Sequence, residues 1–184
     1  MGRLFRRISE SGFLMPRQKN VLLFVPYFES GGAEKFIVNI CENIRREQFN
    51  PVIVSIRSEP SIYDKELCEL HVEHVTLVGG EKRGAITSYI HGYRAFKKYL
   101  DENKGRFSAA HFNIAHGEDL VFVSFSKQAG IPVRIAHSHS SSVNNILKRI
   151  GHFVCKRAFA GSATEYFACS DLAERWLFTP SVIS

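Results

Sequence analysis

Residues 20–46 constrain the fold of this chain more than any other stretch. They open with Asn20-Val21-Leu22-Leu23-Phe24-Val25-Pro26, an apolar run rich in β-favouring residues that reads as a buried strand. A loop containing Gly31-Gly32 follows. Then Phe36, Ile37, Ile40, Cys41 and Ile44 recur at helical spacing, with Glu42, Asn43, Arg45 and Arg46 on the other side. The order is strand, glycine loop, helix. A helix start presents unpaired N–H groups and a partial positive charge, and adjacent glycines let a ligand approach them closely. Two readings of the loop stay open: an ordinary βα turn with glycines for geometry, or a seat for a phosphate, a carboxylate or a sugar. Neither Gly-x-Gly-x-x-Gly nor the Walker Lys-Ser/Thr pattern occurs, so the two commonest nucleotide loops are not supported.

The same alternation continues to the end of the chain. Strands are expected at residues 51–57, 72–78, 107–114, 132–137 and 165–169. Helices are expected at 64–70, 85–103, 117–128 and 143–159, and Asp171 with Glu174 reads as a capping-box start for a last helix carrying Trp176-Leu177. Such a pattern predicts a doubly wound, Rossmann-like parallel α/β sheet. In these sheets ligands bind beyond the carboxyl ends of the strands. That rule selects Gly31-Gly32, the segment from His111 to His116, His137-Ser138-His139 and Ser170-Asp171, which are expected to converge on one cleft.

A chain of 184 residues suits one domain, able to bury roughly 70% of its unfolded surface. The net charge of +6 is uneven. Residues 1–19 form a basic tail with Arg3, Arg6, Arg7, Arg17 and Lys19 against Glu10 alone. A second cluster holds Lys148, Arg149, Lys156 and Arg157. Basic patches suit nucleic acid, anionic lipid or phosphorylated substrates, and equally an ordinary solvated face. Cys41, Cys68, Cys155 and Cys169 are isolated, without a Cys-x-x-Cys pair, which fits reduced thiols in a cytosol. No run of eighteen apolar residues occurs, and the N-terminus lacks the apolar core of a signal peptide.

The histidines are the main candidates for chemistry. A histidine at the end of a strand can donate to a sugar hydroxyl or a phosphate, or act as acid or base near neutral pH. His137 and His139 also fit simple satisfaction of loop carbonyls, and His111 fits a packed core histidine. A metal would need a third ligand from His111 or His116. No Gly-x-Ser-x-Gly elbow and no strand-end carboxylate pair favour hydrolysis.

Three segments carry a resemblance: Ser30-Gly31-Gly32-Ala33-Glu34, Arg134-Ile135-Ala136-His137-Ser138-His139, and the run from Tyr166-Phe167-Ala168-Cys169-Ser170-Asp171 to Trp176-Leu177-Phe178. In this order and spacing they resemble the N-terminal half of group 1, retaining glycosyltransferases of GT-B fold, most of all bacterial enzymes of exopolysaccharide, capsule or O-antigen synthesis. The resemblance covers residues 21–178. It implies a single N-terminal, acceptor-side domain over residues 20–178, a truncated linker at 179–184, and a C-terminal donor domain absent from this chain. It implies His137 as the catalytic histidine near the donor sugar, with Gly31, Gly32, His111, His139 and Ser170 binding substrate. Helix start alone explains Glu34.

The implied partners are a nucleotide-sugar donor and a saccharide or lipid-linked acceptor, with no cofactor, no metal and no nucleic acid. Peripheral contact with the inner face of the plasma membrane through Lys148, Arg149 and Lys156 is a further expectation, since Ile146, Leu147, Ile150, Phe153 and Val154 form one stripe on that helix. Two other readings remain: a non-catalytic acceptor-binding subunit completed by a separate donor-domain chain, and a generic α/β nucleotide binder such as half of an epimerase.

Overall fold

The computed structural model describes residues 18–79, 85–140 and 146–183. In chain order its elements are β1 (Lys19–Phe28), α1 (Gly32–Asn43), β2 (Phe49–Ser58), α2 (Asp64–Glu69), β3 (Glu73–Thr76), α3 (Ala85–Glu102), β4 (Phe107–Ile114), α4 (Leu120–Gln128), β5 (Val133–Ser138), α5 (Ile146–Phe159), β6 (Glu165–Ala168), α6 (Asp171–Leu177) and α7 (Pro180–Ile183). The strands form one sheet in the order β3-β2-β1-β4-β5-β6, every neighbouring pair parallel. This is the doubly wound arrangement that the alternation predicts. The basic segment over residues 1–17 and the start of the helix expected from residue 143 lie outside the described residues.

Side chains alternate along a strand, and β1 uses this to serve two cores. Leu22 and Phe24 enter the larger one with Phe96 and Leu100 of α3, Phe112 of β4, and Leu120 and Phe122 of α4. The Phe24 ring lies 4.9 Å from Phe96, 5.3 Å from Phe112 and 4.6 Å from Phe122, all tilted or edge-on. Leu23 and Val25 point the other way, against Ile37, Val38 and Cys41 of α1 and Leu67 of α2.

Several boundaries differ from expectation for local reasons. β1 runs on past Pro26, whose missing N–H the ladder skips: Val25 pairs with Ser55 and Tyr27 with Arg57. The helix expected from Gly117 begins as a 3-10 turn, Gly117–Asp119. The last helix is capped by Ser170, whose hydroxyl accepts from the Ala173 N–H at 3.2 Å. Asp171 sits in the first turn instead, where its charge complements the helix dipole.

The largest correction concerns α5. On this helix two polar residues are turned inward and three apolar residues outward. His152 is fully buried and Lys156 is 8% exposed, whereas Ile150, Phe153 and Val154 are 58%, 38% and 62% exposed. Carbonyl groups left open at the end of α6 explain the inversion. Lys156 Nζ donates to the carbonyls of Arg175 at 2.6 Å and Trp176 at 2.8 Å. His152 Nε2 meets the Trp176 carbonyl at 3.0 Å, and its ring stacks on the Trp176 indole with centroids 3.9 Å apart. A Cβ on Gly117 would lie 2.1 Å from the His152 carbonyl oxygen, so α5 crosses this turn at a separation that only glycine permits. Lys156 is therefore not a surface cation, and the Lys148 side chain lies outside the described residues.

This burial has a measurable consequence. Lys156→Met leaves carbonyl groups without their ammonium partner and is expected to lower the unfolding free energy by about 1–3 kcal/mol. Arg157→Met, at an exposed position, is expected to stay within about 0.5 kcal/mol. Urea denaturation of both variants checks this, and equal effects would contradict the inward position of Lys156.

Candidate functional site

The chain leaves β1 for β2 on one side of the sheet, while β4 is followed by β5 on the other. This reversal opens a crevice outside the carboxyl ends of β1 and β4, the position where open α/β sheets bind ligands. Its volume is about 340 Å³, and Tyr27, Glu34, Tyr89, Asn113, Asp119 and His139 are among its walls. A hollow of about 510 Å³ lies at the opposite, amino end of the sheet, lined by Lys19, Lys104 and Arg106 among others. Glu102 is its one acidic side chain among the described residues, and no histidine lines it.

The first wall is the start of α1. Gly31 is the N-cap residue and has no side chain to offer the helix N–H groups. Glu34, in the first turn, folds back over it: a Cβ built on Gly31 would lie 2.7 Å from Glu34 Oε2. Glu34 is 8% exposed and makes no ion pair or hydrogen bond with a described residue.

Asn113, near the end of β4, organises the second wall. Its Nδ2 donates to the Phe24 carbonyl at 3.4 Å, which turns Oδ1 toward His139 Nε2, 3.0 Å away. Since Oδ1 only accepts, His139 carries its proton on Nε2 and keeps a lone pair on Nδ1. Burial holds the His139 pKa below the usual histidine value, with the Glu34 charge pulling the other way.

Behind His139 lies a stack of rings. His137 and His139 have centroids 4.1 Å apart, and His111 Nε2 faces His137 Nδ1 at 3.3 Å. Phe36 of α1 covers all three histidines, its ring centroid 4.8 Å from that of His137 in an edge-on contact. Burial, then the neighbouring histidines, pushes His111 down to about 3. Burial, then His139, pushes His137 down to about 4. Neutral rings at pH 7 follow for both. Among the described residues no three histidine, cysteine or acidic side chains are set to hold a metal.

The floor is the turn after β4, tied down from several sides. Asp119 Oδ2 accepts from the backbone N–H groups of Ala115 at 3.2 Å and His116 at 3.0 Å. The Trp176 indole N–H reaches the Ala115 carbonyl at 3.0 Å, Gly117 N–H donates to His152 Nδ1 at 2.8 Å, and the Tyr93 hydroxyl donates to the Glu118 carbonyl at 2.9 Å. Asp119 Oδ1 has no partner. Burial lifts the Asp119 pKa to about 6 against those two backbone donors.

The six residues selected from the sequence divide into three groups. His111, His137 and His139 share one stack, and only His139 lines the crevice. Gly31 and Gly32 are exposed at the start of α1 beside it. Ser170 follows β6, two strands beyond β4, with its hydroxyl spent on the α6 cap. Sequence reasoning passed over Asn113, Asp119, Tyr27 and Tyr89. Asn113 lies inside the selected 111–116 segment, so the strand-end rule already carried its signal. Asp119 lies three residues past that segment and gave none.

No family model matches the chain. It is 28% identical over 169 residues to the putative glycosyltransferase EpsF of Bacillus subtilis (strain 168), covering 89% of this chain and 42% of that protein. Its structure is similar to Anabaena Alr3699/HepE, solved in complex with UDP and glucose, with a TM-score of 0.54 at 13% identity over 85% of this chain and 40% of that one. It is also similar to the UDP-GlcNAc 2-epimerase of Neisseria meningitidis bound to UDP-GlcNAc, with a TM-score of 0.52 at 8% identity over 86% and 42%. The chain thus spans about two fifths of the proteins it matches. Its fold is one Rossmann-like half of the GT-B architecture.

The buried histidines set the pH dependence of stability. His152 is also held down, at about 4, chiefly by burial. A base with a depressed folded pKa contributes stability that is complete above its unfolded value near 6.5 and is lost as pH falls toward the folded value. Asp119 runs the opposite way: its contribution is complete below 3.8 and is lost as pH rises through about 6. The depressed histidines outweigh Asp119, so between pH 6 and 4.5 stability is expected to fall by up to about 2–3 kcal/mol per pH unit. His111→Asn should flatten that slope. Urea midpoints across this window check it, and a level profile would contradict neutral, buried histidines.

Proposed function

We propose that this chain is the acceptor-binding half of a retaining glycosyltransferase, which moves a sugar from a nucleotide-sugar donor to a saccharide. In its fuller form the acceptor is lipid-linked surface polysaccharide, of exopolysaccharide or capsule type, at the cytoplasmic face of the membrane. The observation that carries the reading is the crevice at the β1–β4 reversal, where Glu34, Asn113 and His139 converge. The sequence likeness to a putative glycosyltransferase over 89% of the chain supports it.

Glycosyl transfer needs the leaving diphosphate stabilised and the acceptor hydroxyl fixed in attack geometry. His139 suits the second task, because its Nε2–H is engaged by Asn113 and Nδ1 is left to accept from a hydroxyl. His137 is the histidine proposed to touch the donor sugar, with its ring plane held between His111 and His139. Gly31 and Gly32 form the rim at the start of α1, and Ser170 lies two strands further along the same edge of the sheet. The nucleotide pocket and the second wall come from the other half of the architecture. Similarity to a UDP-GlcNAc 2-epimerase favours a second reading, half of an epimerase, but at 8% identity it supports the fold alone. A non-catalytic acceptor-binding subunit would use the same crevice with a separate donor-domain chain.

The outer stripe of α5, Ile150, Phe153 and Val154 beside Arg149, is the surface proposed to meet an anionic bilayer. Salt-sensitive flotation with anionic vesicles, weakened by Ile150→Asp, is the expected result. Absence of vesicle binding at low salt removes this part of the reading.

Purified residues 1–184 with donor and acceptor are expected to release no nucleoside diphosphate, because the lost positioning is worth roughly 7–11 kcal/mol of barrier. A donor-binding half supplied in trans should restore transfer, and His137→Ala should then lower the rate about 10²–10³-fold. Steady release by this chain alone, abolished by His137→Ala, would contradict the half-domain reading.

A further inference from the structure

Under the crevice, one buried ring joins three parts of the chain. His152 of α5 is fully buried. Its Nδ1 lies 2.8 Å from the Gly117 nitrogen, whose N–H only donates. Its Nε2 lies 3.0 Å from the Trp176 carbonyl oxygen, which only accepts. Both contacts are met by one form of the ring: neutral, with the proton on Nε2 and a lone pair on Nδ1. The stack on the Trp176 indole, 3.9 Å between centroids and 20° between planes, holds the plane of that ring. The turn that His152 holds carries an acid of the crevice wall. The N–H groups of Ala115 and His116 both donate to Asp119 Oδ2, at 3.2 and 3.0 Å. The Trp176 indole fixes the same turn through the Ala115 carbonyl. Asp119 itself is 2% exposed and lines the crevice. Gly117 stands in the middle, a residue that the close crossing of α5 requires. Glycine is the least restricted of residues, so the shape of the turn depends on what grips it from outside.

We propose that His152 is a positioning residue for Asp119: through the Gly117 N–H it holds the turn in the shape that brings two backbone donors to one carboxylate oxygen. The inference rests on the crevice being the functional site, as proposed above, and adds how the charge of its buried acid is controlled. Burial lifts the Asp119 pKa to about 6, and the two backbone donors oppose the rise. Losing either donor lets burial carry it further. At pH 7 the held turn keeps Asp119 about nine-tenths ionised, and a midpoint one pH unit higher leaves it about half protonated. The titratable groups around the pair come from every neighbouring element. Tyr89 and Tyr93 face it from α3, His116 and Glu118 from the turn, and Cys155 and Lys156 from α5. Tyr27, Glu34 and His139 share the crevice wall, and α6 presents the Trp176 indole and carbonyl.

The test is a carbon-13 NMR titration of the Asp119 carboxyl group in the full chain, with two variants that separate the hydrogen bond from the packing. His152→Phe keeps a flat ring on Trp176 and removes the Nδ1 acceptor. His152→Asn gives up the ring and keeps an acceptor, its Oδ1, at about the reach of Nδ1. His152→Phe is expected to raise the Asp119 midpoint by about one pH unit, the scale of one charge-assisted hydrogen bond, and to speed hydrogen exchange at the Gly117 amide. His152→Asn is expected to leave the midpoint near that of the wild type. A midpoint unmoved by His152→Phe, or moved further by His152→Asn than by His152→Phe, overturns the inference and leaves His152 a packing residue. A second measurement needs no variant. The ring nitrogen-15 shifts of His152 in the wild type at neutral pH should show a protonated Nε2 and a bare Nδ1, and a protonated Nδ1 overturns the inference. None of these readings involves sugar transfer. Failure of transfer in trans overturns the glycosyltransferase reading alone, and an unmoved Asp119 beside successful transfer overturns the inference alone.

Discussion

The parallel pairing of β1 with β4 is the constraint on which the rest depends. The two strands are neighbours in the sheet but far apart in sequence, and their outgoing connections run to opposite sides. Neither connection closes the space beyond their carboxyl ends. Asn113 exploits that pairing directly: held by the Phe24 carbonyl on one strand, it presents its oxygen to His139 on the far side. One buried amide thereby links the central strand, β4 and the loop after β5, and it fixes which nitrogen of His139 is available.

Below this, the turn after β4 shows how a polar floor is kept rigid. Its backbone groups are met by Asp119, Trp176, His152 and Tyr93, which come from four different parts of the chain. Meeting these groups requires polar side chains on the inner face of α5, which explains why its apolar stripe faces outward. Buried backbone groups left without partners would cost more than the exposure of three apolar side chains returns. The same arrangement sets the Glu34 carboxylate at the start of α1, beside the neutral rings of His111 and His137. Among the described residues the crevice is lined by the carboxyl groups of Glu34 and Asp119 and by no lysine or arginine, in a chain whose net charge is +6.

The sheet, its order of elements and most helix spans were legible in the sequence because they follow from local periodicity. Leu22, Phe24, Leu23 and Val25 announce a strand buried on both faces, and Phe96 and Leu100 announce a helix stripe. The strand-end rule placed the histidines and the glycine loop at the carboxyl edge of the sheet, where they lie. Illegible features depend on partners far along the chain. Asn113 meets a carbonyl 89 residues away and Trp176 one 61 residues away. No local pattern marks Lys156 as buried, because the carbonyls that bind it lie on α6. Ser170 reads as a site residue by position, yet its hydroxyl serves as a helix cap.

The most direct measurement is a crystal structure of residues 1–184 soaked with a neutral saccharide. Ligand density is expected between β1 and β4, within hydrogen-bond distance of Glu34 and His139 Nδ1 and against the Tyr27 ring. Density confined to the basic hollow at the amino end of the sheet, beside Lys19, Lys104 and Arg106, would contradict the assignment of the crevice as the binding site.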